Sequence, residues 1–477
     1  MPAPRSPLDL DPDTMRRLGH RVADVVAGHL GSLRTQPVLT TMTRAEAERR
    51  IAGPPPARGR DLDALLDTLE RDVLPFAARE PHPGFMAYVP SCPTFPAVLG
   101  DWLASGFNFF GGVWAVSAGP TEVELVVLDW LRGWLGMPAG TGGLLTNGGS
   151  GATLTALVAA RHEVVGDDAA LLPKLAVYLS DQTHSSAVRA AWIAGVPRAQ
   201  VRLVSTDDAL RIRISELEDA IARDRAAGLV PMCVVANAGT TNTGAVDPLR
   251  ELAELCERER LWLHVDAAYG GFAALTAPGR AALAGIERAD SVTMDPHKWL
   301  FVPFECGCLL AREPARLERA FRIYPEYLKD VETSGAEVNF ADYGEQLTRR
   351  SRALAVWMSV SYFGVDALRD AVAHGIALAE HAERRVRAAP EMEVLSPAAL
   401  GVLCFRIRPR AMRNDPGALD ALNDRVARTI VAGGRHFIST TRVRGALSLR
   451  ICPIGFRTTE DDVDSFIAAA RAASPES

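Results

Sequence analysis

Two stretches decide how this chain folds: LWLHVDAAYG (261–270) and SVTMDPHKW (291–299). Each is a short apolar, β-rich run that leads to a charged group, Asp266 in the first and Lys298, behind Pro296, in the second. Runs of the same texture occur at 175–180, 201–205, 230–236 and 307–311, and helical stretches at 150–163, 215–227 and 247–259 lie between several of them. Alternating helices and apolar strands predict an α/β fold with a mainly parallel sheet covered on both faces. Ligands of such sheets collect at the carboxyl ends of the strands, where Asp266 and Lys298 stand.

Outward from this unit the texture changes. Residues 9–34 carry helical apolar spacing (Leu18, Val22, Val25, Val26, Leu30), and a second helix is predicted at 61–79, beyond a Pro/Gly/Arg-rich interval at 52–60. With helices and no strands, this piece is expected to pack on another chain or on the main domain. Residues 366–477 read as α+β, with helices near 366–388 and 416–433 and strands near 402–408 and 446–451. The expected division is a helical segment 1–82, a large α/β domain 83–365 and a small α+β domain 366–477.

Composition narrows the function. The 58 Asp+Glu outnumber the 52 Lys+Arg for a net charge of −6, which argues against nucleic acid or an anionic membrane as partner. No run is apolar for long enough to cross a bilayer, and MPAPRSPLDLDPD lacks a signal-peptide core, so the reading is a soluble cytoplasmic protein. The 7 cysteines are scattered through apolar segments without a CxxC, so buried reduced thiols are expected and no metal site. Among the 52 basic residues only Lys174, Lys298 and Lys329 are lysines, which leaves few candidates for amine chemistry.

Each chemical motif also has an ordinary reading. Lys298 beside His297 can form a Schiff base if kept partly deprotonated, although most lysines simply face solvent. Asp266 at a strand end is costly unless it meets a cation, such as a protonated pyridine nitrogen; otherwise it caps the strand. The loop TNGGSGAT (146–153) lets backbone N–H groups approach an anion, although a glycine loop that merely caps a helix looks the same. It is neither a Walker loop nor a GxGxxG. His184 in SDQTHSS (180–186) could lie against an aromatic cofactor or move protons, and Thr241 in AGTTNTG (238–244) could hydrogen-bond a ring substituent. Glycine loop, His, Thr, Asp and Lys follow one another at successive strand ends. One sheet edge can therefore gather all five.

The segments HPGFMAYVPS (82–91), DQTHSS (181–186), NAGTTNTG (237–244), LHVDAAYGG (263–271) and DPHKWL (295–300) resemble the group II pyridoxal-phosphate decarboxylases. This is the family of aromatic-L-amino-acid, glutamate and histidine decarboxylases, and the similarity extends over most of the chain. It implies the PLP-dependent transferase fold of type I, with a seven-stranded sheet and pyridoxal 5′-phosphate (PLP) as cofactor. It also implies an intertwined homodimer with active sites at the subunit interface and the N-terminal helices wrapped on the partner. By the same resemblance Lys298 carries the cofactor, Asp266 pairs with its pyridinium nitrogen and His184 stacks on its ring. Gly149, Ser150 and His297 fall where the family binds cofactor, chiefly its phosphate, and Thr241 and Ala268 match further contacts. Asp295 belongs to that set but replaces a common Asn, so its carboxylate must be protonated or point elsewhere.

The implied reaction is loss of the α-carboxylate of an L-amino acid as CO2. Tyr327 matches the loop tyrosine that returns a proton to Cα with help from His184, and Lys329 of that loop faces solvent. Relatives that make aldehydes tend to lose that tyrosine or the histidine, so an amine product is favoured. Residues 82–116 resemble the pocket wall, contain no Lys or Arg, and have Asp101 as their sole carboxylate. An acidic substrate would want a cation there, so an amino acid of the Phe, Tyr, dopa or Trp type is expected. The pocket candidates are Tyr88, Val89, Pro90, Ser91, Phe110, Gly112 and Thr348. Gly112 stands where animal members carry Phe, Phe110 where they carry a smaller residue, and Thr348 where plant members carry Gly or Ser. Phe95 and Trp102 read as core, and Asp101, on a helix at FPAVLGDWL, reads as structural. A branched aliphatic substrate such as valine or leucine is the alternative. Further rivals are an aldehyde synthase and an aminotransferase, for which Arg450 would hold the α-carboxylate.

Overall fold

The computed structural model describes residues 6, 8–166, 168–323 and 337–474. Its large domain is built on seven strands: β1 (Gly142–Thr146), β2 (Leu175–Ser180), β3 (Val201–Val204), β4 (Val230–Asn237), β5 (Trp262–Asp266), β6 (Ser291–Met294) and β7 (Gly307–Ala311). They lie in the order β1-β7-β6-β5-β4-β2-β3. The pairs from β3 to β6 are parallel, while β7 and β1 run antiparallel to their neighbours. Helices cover both faces, which is why β2 and β7 are buried at every position and read as continuous apolar runs. This is the mainly parallel sheet expected of fold type I. Strand β1 was not predicted, because GGLLT offers only two apolar residues among glycines and gains its place by pairing with β7.

Helix Phe95–Phe107 crosses helix Ala353–Arg387 at Gly100, where a Cβ would fall 2.6 Å from the Leu354 carbonyl oxygen. So close a crossing turns the small residues Ala97, Gly100 and Ala104 inward. The large ones are turned out: Phe95 is 37% exposed and Trp102 47%, which corrects the expectation that they belong to the core. Asp101 on the same helix is ion-paired with Arg350.

Helix Ala353–Arg387 kinks at Gly364 (φ 77°, ψ 161°) and carries the chain into the small domain. There β8 (Met392–Ala399), β9 (Val402–Ile407), β10 (Ser439–Val443) and β11 (Ala446–Ile451) form an antiparallel sheet in the order β10-β11-β9-β8. Phe405 and Phe466 anchor its core. Near the N-terminus, helices Pro12–Gly31 and Leu62–Asp72 bury almost nothing in this chain and are tied together by Arg21, which pairs with Asp63, Asp67 and Glu70. The second of them stops at Asp72, short of the expected 79.

Candidate active site

Asn237, Asp266 and Thr293 lie in register across β4, β5 and β6, so the segments after them leave the sheet side by side. β2 ends beside β4, and Thr146 of β1 pairs with Gly307 at the start of β7. All five chemical motifs therefore emerge at one edge, as their order along the chain predicts.

Lys298 sits on the single helical turn Pro296–Trp299, with Nζ 2.9 Å from Asp295 Oδ2. Burial pulls its pKa down, but the carboxylates of Asp295 and Asp266 outweigh that and hold the amine above the ordinary lysine range. Asp266 is also shifted upward, which for a carboxylate disfavours the charged form. Burial raises its pKa, although Lys298 and the Ala268 N–H, which donates to Oδ1 at 3.1 Å, oppose the rise. An acid held like this accommodates a cationic ring nitrogen. His184 is exposed at the start of helix Ser185–Ile193, and its Nδ1 lies 2.7 Å from Ser186 Oγ and accepts from the Ser186 N–H at 3.3 Å. A ring that accepts at Nδ1 has Nε2 as its remaining donor.

Gly148, at φ +104°, turns the chain into helix Gly149–Val165 and gives that helix no side-chain cap. The N–H groups of Gly149 and of the exposed Ser150 are left for an anion, whereas the Gly151 N–H donates to the Gly148 carbonyl at 3.0 Å. Asp295 is packed against this start: a Cβ on Gly149 would lie 2.8 Å from Oδ2 and 3.2 Å from Oδ1. Asp295 is 2% exposed, and its Oδ1 has no hydrogen-bond partner among the described residues. His297 Nδ1 lies 2.8 Å from the Cys306 carbonyl oxygen, and burial lowers its pKa, which keeps the ring neutral. An uncapped helix start, a strand-end amine and a buried strand-end acid are a donor set that fits PLP, with phosphate, aldehyde and ring nitrogen each provided for.

A cavity of about 330 Å³ opens beside His184, lined also by Tyr88, Gln182, Thr241, Asn242 and Arg450. Arg450 is 3% exposed. Its Nε donates to the carbonyl oxygens of Thr241 at 2.9 Å and Asn242 at 3.1 Å, and Nη1 donates to that of Tyr88 at 2.6 Å. Of the four residues 88–91 only Tyr88 lines this cavity. Val89 and Pro90 are turned into the protein, and the Ser91 N–H donates to Glu80 Oε2 at 2.8 Å.

Phe110, Gly112 and Thr348 lie in a second cluster, apart from that cavity. The Gly111 N–H donates to the Arg349 carbonyl at 2.8 Å. A Cβ on Gly112 would meet the Leu347 carbonyl oxygen at 2.7 Å and the Phe110 ring at 3.1 Å. The Phe110 ring thus fills the space over Gly112, so the aromatic group enters from two positions earlier on the same segment. Behind it stands a pair that sequence reading missed. Arg349 Nη2 and Nη1 lie 2.6 and 3.0 Å from the two oxygens of Glu124 and also donate to the carbonyls of Leu145 at 2.5 Å and Gly111 at 2.6 Å. The one signal for it was a lone Glu in the apolar run VELVV. Tyr327 and Lys329 lie outside the described residues.

Residues 48–408 match the family model of the pyridoxal-dependent decarboxylase conserved domain, and the chain belongs to that family. It is a PLP-dependent amino-acid decarboxylase. The chain is 41% identical over 470 residues to an aromatic-L-amino-acid decarboxylase of Bacillus atrophaeus, spanning 98% of this chain and 97% of that one. It is 33% identical over 464 residues to a phenylacetaldehyde synthase of Arabidopsis thaliana, spanning 95% and 94%. Oryza sativa TDC crystallised with PLP and tryptamine superposes with a TM-score of 0.93 at 32% identity, over 98% of this chain and 99% of that one. No helix among the described residues is long and apolar enough to cross a membrane.

Proposed function

We propose that this enzyme decarboxylates an aromatic L-amino acid, of the Phe, Tyr, dopa or Trp type, to the corresponding amine. The cavity beside His184 carries the reading. Its guanidinium, Arg450, is engaged through Nε and Nη1 with backbone carbonyls and keeps only Nη2 without a partner among the described residues, so it offers a single nitrogen, not the two-pronged grip that an acidic side chain or an aminotransferase's clamp calls for. The relative from Bacillus atrophaeus, named for aromatic substrates, supports the same class.

Bound PLP supplies the electron sink that makes loss of the carboxylate possible. Lys298 would hold it covalently at the sheet edge. Asp266 would keep a proton on the ring nitrogen, His184 would face the ring, and Gly149, Ser150 and His297 would hold the phosphate, with Thr241 and Ala268 alongside. Tyr327 returns the proton to Cα, and the Nε2–H of His184 assists. Trp102, Phe107 and Tyr362 stand 47%, 71% and 74% exposed on two crossing helices. These and the barely buried N-terminal helices support a homodimer in which a partner covers them and completes the pocket with the Phe110 cluster. The seven free, buried cysteines support a reducing, cytoplasmic location.

Incubation with the twenty amino acids and dopa, with CO2, amine, aldehyde and keto acid assayed together, tests the activity. CO2 and amine in equal amounts from aromatic substrates are expected; keto acid without CO2 overturns the reading. Tyr327→Phe should divert product toward aldehyde, and an unchanged amine yield removes Tyr327 from its role.

A further inference from the structure

Asp295 is a second buried acid in a site that needs only one. Its Oδ2 is 2.9 Å from Lys298 Nζ and 3.8 Å from His297 Nε2, while Oδ1 has no partner among the described residues. Both oxygens lie beside Gly149, the first residue of the uncapped helix Gly149–Val165, where a Cβ would fall 2.8 Å from Oδ2 and 3.2 Å from Oδ1. A phosphate received there faces a carboxylate across the width of one glycine. Two anions in a buried contact require a proton or a cation between them.

Among the described residues no surrounding group supplies a cation to Oδ1. Lys298 Nζ meets Oδ2 alone, at 2.9 Å. His297 is kept neutral by burial, with Nδ1 on the Cys306 carbonyl. Asp266 is itself an acid, and the thiols of Cys306 and Cys308 are pushed up by burial and stay protonated. A proton is what remains.

We propose that Asp295 and the phosphate of PLP share one proton, so that this enzyme holds its cofactor's phosphate as the monoanion and binds it less tightly as pH rises. The proposal rests on the placement of the phosphate at Gly149 and Ser150. In water a phosphate monoester gives up its second proton near pH 6 and a carboxyl group near pH 4, roughly. Above that range binding must draw a proton from solution, and affinity falls about tenfold per pH unit. An amide at 295 would donate an N–H instead and need no proton.

Phosphorus NMR of the holoenzyme between pH 6 and 9, with PLP dissociation constants over the same range, tests this. The wild-type phosphate resonance should sit at the monoanion position or titrate. Asp295→Asn should hold it at the dianion position at every pH and bind PLP at least about tenfold more tightly at pH 8. Asp295→Ser, which also removes the charge, should flatten the pH slope as the Asn variant does. A wild-type resonance fixed at the dianion position, or equal slopes in wild type and both variants, overturns the proposal. Ser150→Ala separates the two ways of failing. If it moves the resonance or weakens binding while Asp295→Asn does neither, the placement stands and proton sharing is wrong. If none of the variants has an effect, the placement is wrong as well.

Discussion

Two ion pairs are buried in the large domain, and they differ in what they leave unsatisfied. Arg349 and Glu124, with side chains 1% and 2% exposed, meet through both terminal nitrogens and both carboxylate oxygens. The same guanidinium takes the carbonyls of Gly111 and Leu145, and Glu124 Oε1 accepts the Leu145 N–H at 2.8 Å. Lys298 and Asp295, 23% and 3% exposed, share one contact, with Asp295 Oδ1 unpartnered and Asp266 close by. The first pair has its hydrogen-bonding capacity met within the chain and works as scaffold, linking the Phe110 wall to β1 and the glycine loop. The second keeps capacity in reserve for a ligand. A buried charge whose valences are filled is structural, and one whose valences are open marks chemistry.

The largest effect that would test this contrast is on activity. Lys298→Ala should cut CO2 release on the order of 10⁴-fold or more while lowering the melting temperature of the cofactor-free chain less than a Glu124 substitution does. A melt lowered as far as that of a Glu124 variant would erase the distinction. Next is stability: Glu124→Gln strands a buried guanidinium and should cost roughly 3–5 kcal/mol in urea unfolding. A cost under about 1 kcal/mol would show that the scaffold pair is not holding the wall.

A neutral buried chain gives a third case. The Trp262 Nε1–H donates to Ser291 Oγ at 2.8 Å, which is also 2.8 Å from His264 Nδ1, and Nε2 lies 3.2 Å from Thr293 Oγ1. The Ser291 and Thr293 hydroxyls can each donate or accept, so both ring nitrogens of a neutral His264 are satisfied. Burial lowers the His264 pKa to about 3 from 6.5. The folded value lies below the unfolded one, so this stability is fully present above pH 6.5 and is lost as pH falls toward 3. Between pH 7 and 5 the wild type should lose roughly 2 kcal/mol more than His264→Gln; parallel pH–stability curves would show that the imidazole is not held neutral.

The smallest expected effect is at Gly112. Alanine there displaces the Leu347 carbonyl and should cost about 1 kcal/mol, while moving the kcat/KM ratio between phenylalanine and tryptophan several-fold. An unmoved ratio would detach the Phe110 cluster from substrate recognition.

Much of the site could be read locally. Lys298, Asp266, His184 and Thr241 each follow an apolar strand, and a strand's end is a position on the sheet edge whatever the rest of the chain does. Strand β1 escaped because its pattern is set by β7, not by its own residues. Glu124 and Arg349 are 225 residues apart and have no shared local signature. Phe95 and Trp102 misled because the close crossing at Gly100 admits only the small residues of that helix and turns the large ones out, which no local pattern announces.

The sequence by itself determined the parallel sheet and the edge where its motifs converge, since both follow from short-range pattern and residue order, and through the resemblance of those motifs it pointed to the family and the cofactor. Tertiary structure alone decided which buried charges are satisfied, that Arg450 is bound to backbone carbonyls, that the Phe110 ring takes the space over Gly112, and that Asp295 turns toward Lys298 and the helix start. Each of those depends on a partner brought close only by folding, and hydrogen-bond geometry decides them over distances of a few tenths of an ångström.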